Sequence, residues 1–229
     1  MRSIHKGTEC LELRQWKKSN AHSPQNLLYN NVPSDVRACM LDLLIREQHG
    51  LCAYTMKTIA KQNGQWQAHI EHVLPQSVHA EETLSWGNLL ACVPTGKKAC
   101  DYGAHRKADY DPAAHPFTSP LQPGIEREFR FLQNGRVEGR TARAQASIEP
   151  SVLYLNHGHL VADRRARIQS ALSHRPTATQ ARKRAAVLRT PDREGKLEAY
   201  GEALAQVLDQ YAQNREAKAD RTAGKRRAS

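Results

Sequence analysis

His69, Glu71 and His72 lie within four consecutive residues; Asn88 follows 16 residues after His72, His105 comes 17 after Asn88, and Lys107 two after that. Side chains alternate across an extended strand, so Glu71 and His72 project to opposite sides, the carboxylate toward a metal and the imidazole toward a water. That is a division of labour suited to hydrolysis. An imidazole titrates close to neutral pH, so His72 can accept a proton from water without prior deprotonation. His69 shares a strand face with Glu71 and is either a third metal ligand or a hydrogen-bond partner of the hairpin. The plain alternatives are a surface imidazole at His72 and a salt bridge to Lys or Arg at Glu71. Pro75 removes a backbone donor three residues after His72, which turns the strand back and leaves both polar side chains at the edge of the fold.

At these residues the sequence resembles the HNH endonucleases, nucleic-acid-cutting enzymes with a ββα-metal (His-Me finger) core. The likeness is carried by the Glu71-His72 dyad with Pro75 and Gln76-Ser77 behind it, by Asn88-Leu89, and by His105 with Lys107, in this order and at these gaps. It implies that His72 is the general base, that Glu71 and His105 hold a divalent metal, Mg²⁺ or Mn²⁺, and that Asn88 fixes the loop and orients His72. His69 is then a further ligand or a flank for DNA, and Lys107 a contact to a phosphate oxygen. Glu47-Gln-His-Gly50-Leu-Cys52-Ala-Tyr54 and Leu153-Tyr-Leu155-Asn156 extend the likeness over roughly residues 1 to 175, toward the HNH subunit of Septu and retron antiphage systems. Such subunits work with an ATPase partner. The chain has no Gly-x-x-x-x-Gly-Lys-Ser/Thr loop, so ATP use falls to another protein. HNH relatives with a structural zinc carry two cysteines separated by two residues where Cys52-Ala-Tyr-Thr55 stands here. Cys52, Cys92 and Cys100 can supply three thiolates, with a His or water as fourth ligand, or they are buried, apolar-like thiols.

A net charge of +11 over 229 residues favours a polyanionic partner, DNA more than RNA given the motif. No stretch of about 18 apolar residues is present, so no membrane partner is expected and the chain reads as cytoplasmic. Five cysteines without an export signal argue for reduced thiols or metal ligands over a disulfide framework. Aromatic residues make up 6% of the chain, so the core should be aliphatic.

These residues must be positioned by an α+β fold: the ββα core, flanking helices and an added β-hairpin. Residues 1–34 read as an irregular arm with a short helix near 11–18, 35–150 as the nuclease core, 151–214 as a basic helical region, and 215–229 as a disordered basic tail. Val36, Cys39, Met40, Leu43 and Leu44 have helical spacing ahead of Gly50. Asn63-Gly64 and Asn134-Gly135 mark tight turns, the second between alternating segments at Phe129–Leu132 and Val137–Arg140. Residues 164–193 hold nine basic side chains against one acidic, a track for phosphates or a solvated helix face. Two other functions fit the composition: a stand-alone restriction or homing nuclease, which would want a reading module of its own, and an inactive basic DNA-binding scaffold.

Overall fold

The central hairpin joins β3 (His69–His72) to β4 (Leu89–Cys92), antiparallel with Glu71 opposite Leu90 and His72 opposite Leu89. The computed structural model describes residues 1–94 and 100–227, by backbone alone beyond residue 222. Among them the hairpin is preceded by α1 (Leu11–Ser19), α2 (Ser34–Glu47), β1 (Lys61–Gln62) and β2 (Gln65–Trp66). It is followed by α3 (Ala104–Lys107), β5 (Phe129–Phe131), β6 (Val137–Gly139), α4 (Ala142–Ile148), α5 (Gly158–Ser173), α6 (Ala178–Arg189) and α7 (Gly201–Arg227). The architecture is α+β, with the six strands paired two by two in antiparallel hairpins.

Turn chemistry sets two of these hairpins. Asn63 and Gly64 both take positive φ (50° and 75°), the conformation of a two-residue loop that matches strand twist. At Gly135 φ is 86°, and a Cβ there would stand 2.3 Å from the Val161 carbonyl oxygen, so only glycine lets α5 close over the β5–β6 hairpin. Asn156 ties β6 down by accepting from Val137 N–H and donating to its carbonyl, both at 2.9 Å.

All four leucine, alanine and cysteine side chains of β4 are buried. One open edge of the strand meets the buried amide of Gln48, at the end of α2, which accepts from Ala91 N–H at 2.7 Å and donates to the Ala91 carbonyl at 2.8 Å. An amide thus stands in for a neighbouring strand and leaves no backbone group unpaired there. The helix with its apolar face on Val36, Met40 and Leu44 is α2, and it packs on β4.

The first 34 residues are less of an arm than the sequence implies. Met1, Ile4, Leu13 and Val32 are buried in the same core cluster as Leu89, Leu90 and Ala212. Lys6 reaches the Leu89 carbonyl at 3.1 Å, pairs with Glu47 at 2.6 Å and lies over the Trp86 ring. At the other end, helix α7 runs through to Arg227, so the expected disordered tail is helical over most of its length; residues 228–229 lie outside the described residues. Ala, Arg and Lys dominate this stretch, and it holds no proline to stop the helix.

Candidate active site on the central hairpin

The two faces of β3 lead to two different environments. On one, Glu71 Oε1 lies 3.2 Å from Lys107 Nζ, delivered by α3, and accepts from the Tyr54 hydroxyl at 3.3 Å. Tyr54 comes from the turn after α2, closed by Cys52 N–H donating to Lys57 O and Met56 N–H donating to Cys52 O. Burial drives the Glu71 carboxyl up to about 7, against the opposing pull of Lys107 and Tyr54. His69 lies on this same face, and its ring centroid is 4.9 Å from that of His105. Its Nδ1–H donates to the Pro94 carbonyl at 2.5 Å. A carbonyl can only accept, so Nε2 is the nitrogen with the lone pair, the arrangement in which an imidazole can bind a cation. Burial holds the His69 pKa below the ordinary range, and neighbouring His105 adds to the depression. A carboxylate and two imidazoles fit a hard-to-borderline divalent cation in kind, but the ligand atoms of Glu71, His69 and His105 do not all come within 4.8 Å of one another.

Lys107 does not face solvent. Its side chain is fully excluded from water and its ammonium donates to the His72 carbonyl at 3.1 Å as well as pairing with Glu71. The expected contact to a phosphate is therefore replaced by an internal role, because the short α3 turns this side chain inward beneath β3.

On the opposite face His72 is 7% exposed, not open at the edge of the fold as the sequence implies. Its Nε2–H donates to the Thr83 carbonyl at 2.9 Å, and Nδ1 accepts from the Gln76 amide at 3.0 Å. Gln76 is held in turn by the Thr83 hydroxyl, which donates to its Oε1 at 3.0 Å. Tyr29 packs edge-on against the ring at 4.9 Å. Burial lowers the His72 pKa and Lys107 adds to the effect, against the opposing pull of the Thr83 carbonyl, so the neutral ring is favoured. Nδ1 is the basic nitrogen, and Gln76 covers it.

Asn88 is buried and makes three side-chain hydrogen bonds: it accepts from Leu74 N–H at 2.7 Å and donates to the Leu74 and Glu82 carbonyls, each at 3.1 Å. It pins both ends of the loop that returns β3 to β4. Because Glu82 precedes Thr83, the same bonds fix the carbonyl that orients His72.

The three thiols considered for zinc do not assemble. Cys52 and Cys92 are buried neighbours; burial raises the Cys52 thiol, but donors from Cys92, Thr55 and Val93 N–H outweigh it and bring it down to about 6. Cys100 instead donates to the Tyr102 carbonyl at 3.4 Å. Among the described residues, one group of three His, Cys, Asp or Glu ligand atoms lies within 4.8 Å of one another, and it is Cys10, Glu12 and Cys39. The expected triad stays open because Cys100 turns to the Tyr102 carbonyl, and threonine at position 55 leaves the turn after α2 without a second thiol.

Four of the nine basic side chains at 164–193 have partners within the protein. Arg164 is buried and donates to the Gly135 and Leu155 carbonyls at 2.6 and 2.7 Å. Arg182 pairs with Glu216 at 2.6 Å, Arg184 with Glu198, and Arg189 with Asp209 at 2.8 Å and Glu202 at 3.1 Å. These ions tie α6 to α7 and the segment before it.

Tyr54, Gln76 and Thr83 complete the two environments; Thr83 lies in no motif, and Tyr54 belongs only to the stretch Glu47–Tyr54, which gives it no role. Gln76 was visible only as part of Pro75-Gln76-Ser77. No helix is long and apolar enough to cross a membrane among the described residues. No protein-family model matches the chain, and no curated protein is significantly similar to it.

Proposed function

We propose that the chain is a metal-dependent HNH-type endonuclease that hydrolyses phosphodiester bonds of nucleic acid, DNA in preference to RNA, with β3, β4 and α3 as a ββα-metal core. In this proposal it is the cytoplasmic effector subunit of a bacterial antiphage system and works with an ATPase partner. The supporting observation is that β3 and the helix α3, far apart in the chain, meet in two places: Glu71 with Lys107, and His69 with His105. Glu71 and His105 would hold a divalent cation with His69 beside them, and the cation would stabilise charge on the phosphoryl and leaving oxygens. Lys107 balances the Glu71 carboxylate from below. Thr83 keeps the proton of His72 on Nε2, so that Nδ1 takes the proton of the attacking water once Gln76 moves aside. Asn88 holds the loop that supplies Thr83.

The test is nicking of supercoiled plasmid with Mg²⁺ or Mn²⁺ against a chelator control, alone and with any ATPase that co-purifies. His72→Ala should lower the rate by about 100-fold or more. A variant that nicks like wild type removes His72 from the base role.

A non-catalytic, basic DNA-binding subunit is favoured by one observation, the Gln76 amide seated on His72 Nδ1. Metal-independent DNA binding with no cleavage of DNA or RNA under any of these conditions would decide for it.

A further inference from the structure

Cys10 immediately precedes α1, Glu12 lies in its first turn, and Cys39 sits in the middle of α2. The two helices pack together and bring one ligand atom from each of these residues within 4.8 Å of the others. Cys10 is buried, Cys39 half-buried and Glu12 exposed. The Cys39 thiol donates to Glu12 Oε2 at 3.0 Å. The Cys10 thiol does not cap α1, although it sits at the cap position. In a tetrahedral zinc site with Zn–S near 2.3 Å, neighbouring thiolates stand about 3.8 Å apart, so these three atoms need to shift by only about an ångström.

We propose that Cys10, Glu12 and Cys39 form a zinc site, separate from the hairpin residues, that clamps the N-terminal segment to α2. Two thiolates and one carboxylate make a soft donor set that selects Zn²⁺ over Mg²⁺ or Ca²⁺, and the exposed side leaves a fourth position for water. Binding forms two Zn–S bonds and one Zn–O bond; the thiol protons, including the one Cys39 gives to Glu12, leave to solvent. The clamp matters beyond α1. The segment it holds carries Lys6 to the Leu89 carbonyl of β4 and Tyr29 to the His72 ring, while α2 presents Gln48 to the edge of β4.

The experiment is titration of the metal-free full chain with Co²⁺ and then Zn²⁺, reading the thiolate-to-cobalt charge-transfer band and the protons released. One equivalent should saturate the band, and Zn²⁺ should displace it. Cys39→Ser should weaken affinity on the order of 100-fold or more, a ligand counting for at least as much as the partners behind one. Glu12→Gln, on the surface, tests the carboxylate without disturbing the core and should weaken binding measurably. Cys52→Ser should leave the titration unchanged. Absence of the band in wild type, or a band that survives Cys39→Ser and disappears in Cys52→Ser, would overturn the assignment. Buried Cys10→Ser adds a third point where circular dichroism shows it folded.

Discussion

Lys107 Nζ and Glu71 Oε1 lie 3.2 Å apart, with the lysine side chain fully excluded from water. The pair joins α3 to β3, and it also anchors the strand through the His72 carbonyl. Removing one partner of a buried ion pair strands the other charge in a medium that solvates it poorly. Lys107→Met should therefore destabilise the fold by up to about 3–5 kcal/mol at pH well above 7, and by less where the carboxyl takes up a proton, and adding Glu71→Gln should recover much of the loss. Urea unfolding of the two single variants and the double variant measures both effects. A loss below about 1 kcal/mol for Lys107→Met would contradict the pairing.

The same carboxyl gives stability a pH dependence. Burial raises Glu71 from 4.5 to about 7. Between those values the folded chain keeps a proton that the unfolded chain has lost, so the contribution is complete below pH 4.5 and falls away as pH rises toward 7. Glu71→Gln should remove a slope of at most about 1.4 kcal/mol per pH unit across this window. Unfolding midpoints from pH 4 to 8, on the order of five points, suffice; parallel curves for variant and wild type would rule the effect out.

Gln76 covers the basic nitrogen of His72 from 3.0 Å. Gln76→Ala should expose that nitrogen and speed modification of His72 by diethylpyrocarbonate by about tenfold or more, since access and basicity both rise. In the nuclease proposal the same change should preserve or increase metal-dependent nicking. Loss of nicking with an intact fold would make Gln76 part of the machinery instead of its cover.

Asn88 answers three backbone groups at once. Asn88→Ala should cost about 3 kcal/mol, because it leaves buried donors and acceptors unmet. Hydrogen exchange at the Leu74 amide should accelerate with it. Unchanged exchange there would show that the loop has another anchor.

Several elements could be read from local pattern alone: the helix through Met40 and Leu44, the turns at Asn63-Gly64 and Asn134-Gly135, and an extended segment at His69–His72. Each depends on side-chain period or on the φ preference of one or two residues, which chain neighbours decide. The helix through the basic tail is not legible in composition, because low apolar content argues only against a core, whereas a helix needs good formers and an upstream segment already packed through Ala203, Leu204 and Leu208.

Sequence by itself determined which groups are available: an acid and an imidazole on opposite sides of one strand, an asparagine and a later histidine at fixed intervals, and five thiols. Tertiary structure alone decided which of them meet water, each other or the backbone. The lysine expected at a phosphate became the counter-charge of Glu71, the imidazole expected at a water acquired Gln76 and Thr83, and the thiols that converged on a carboxylate were Cys10 and Cys39. The reason is physical: residue type and spacing set an intrinsic chemistry, but charge state, free lone pair and ligand distance are fixed by burial and by partners that arrive from elsewhere in the chain.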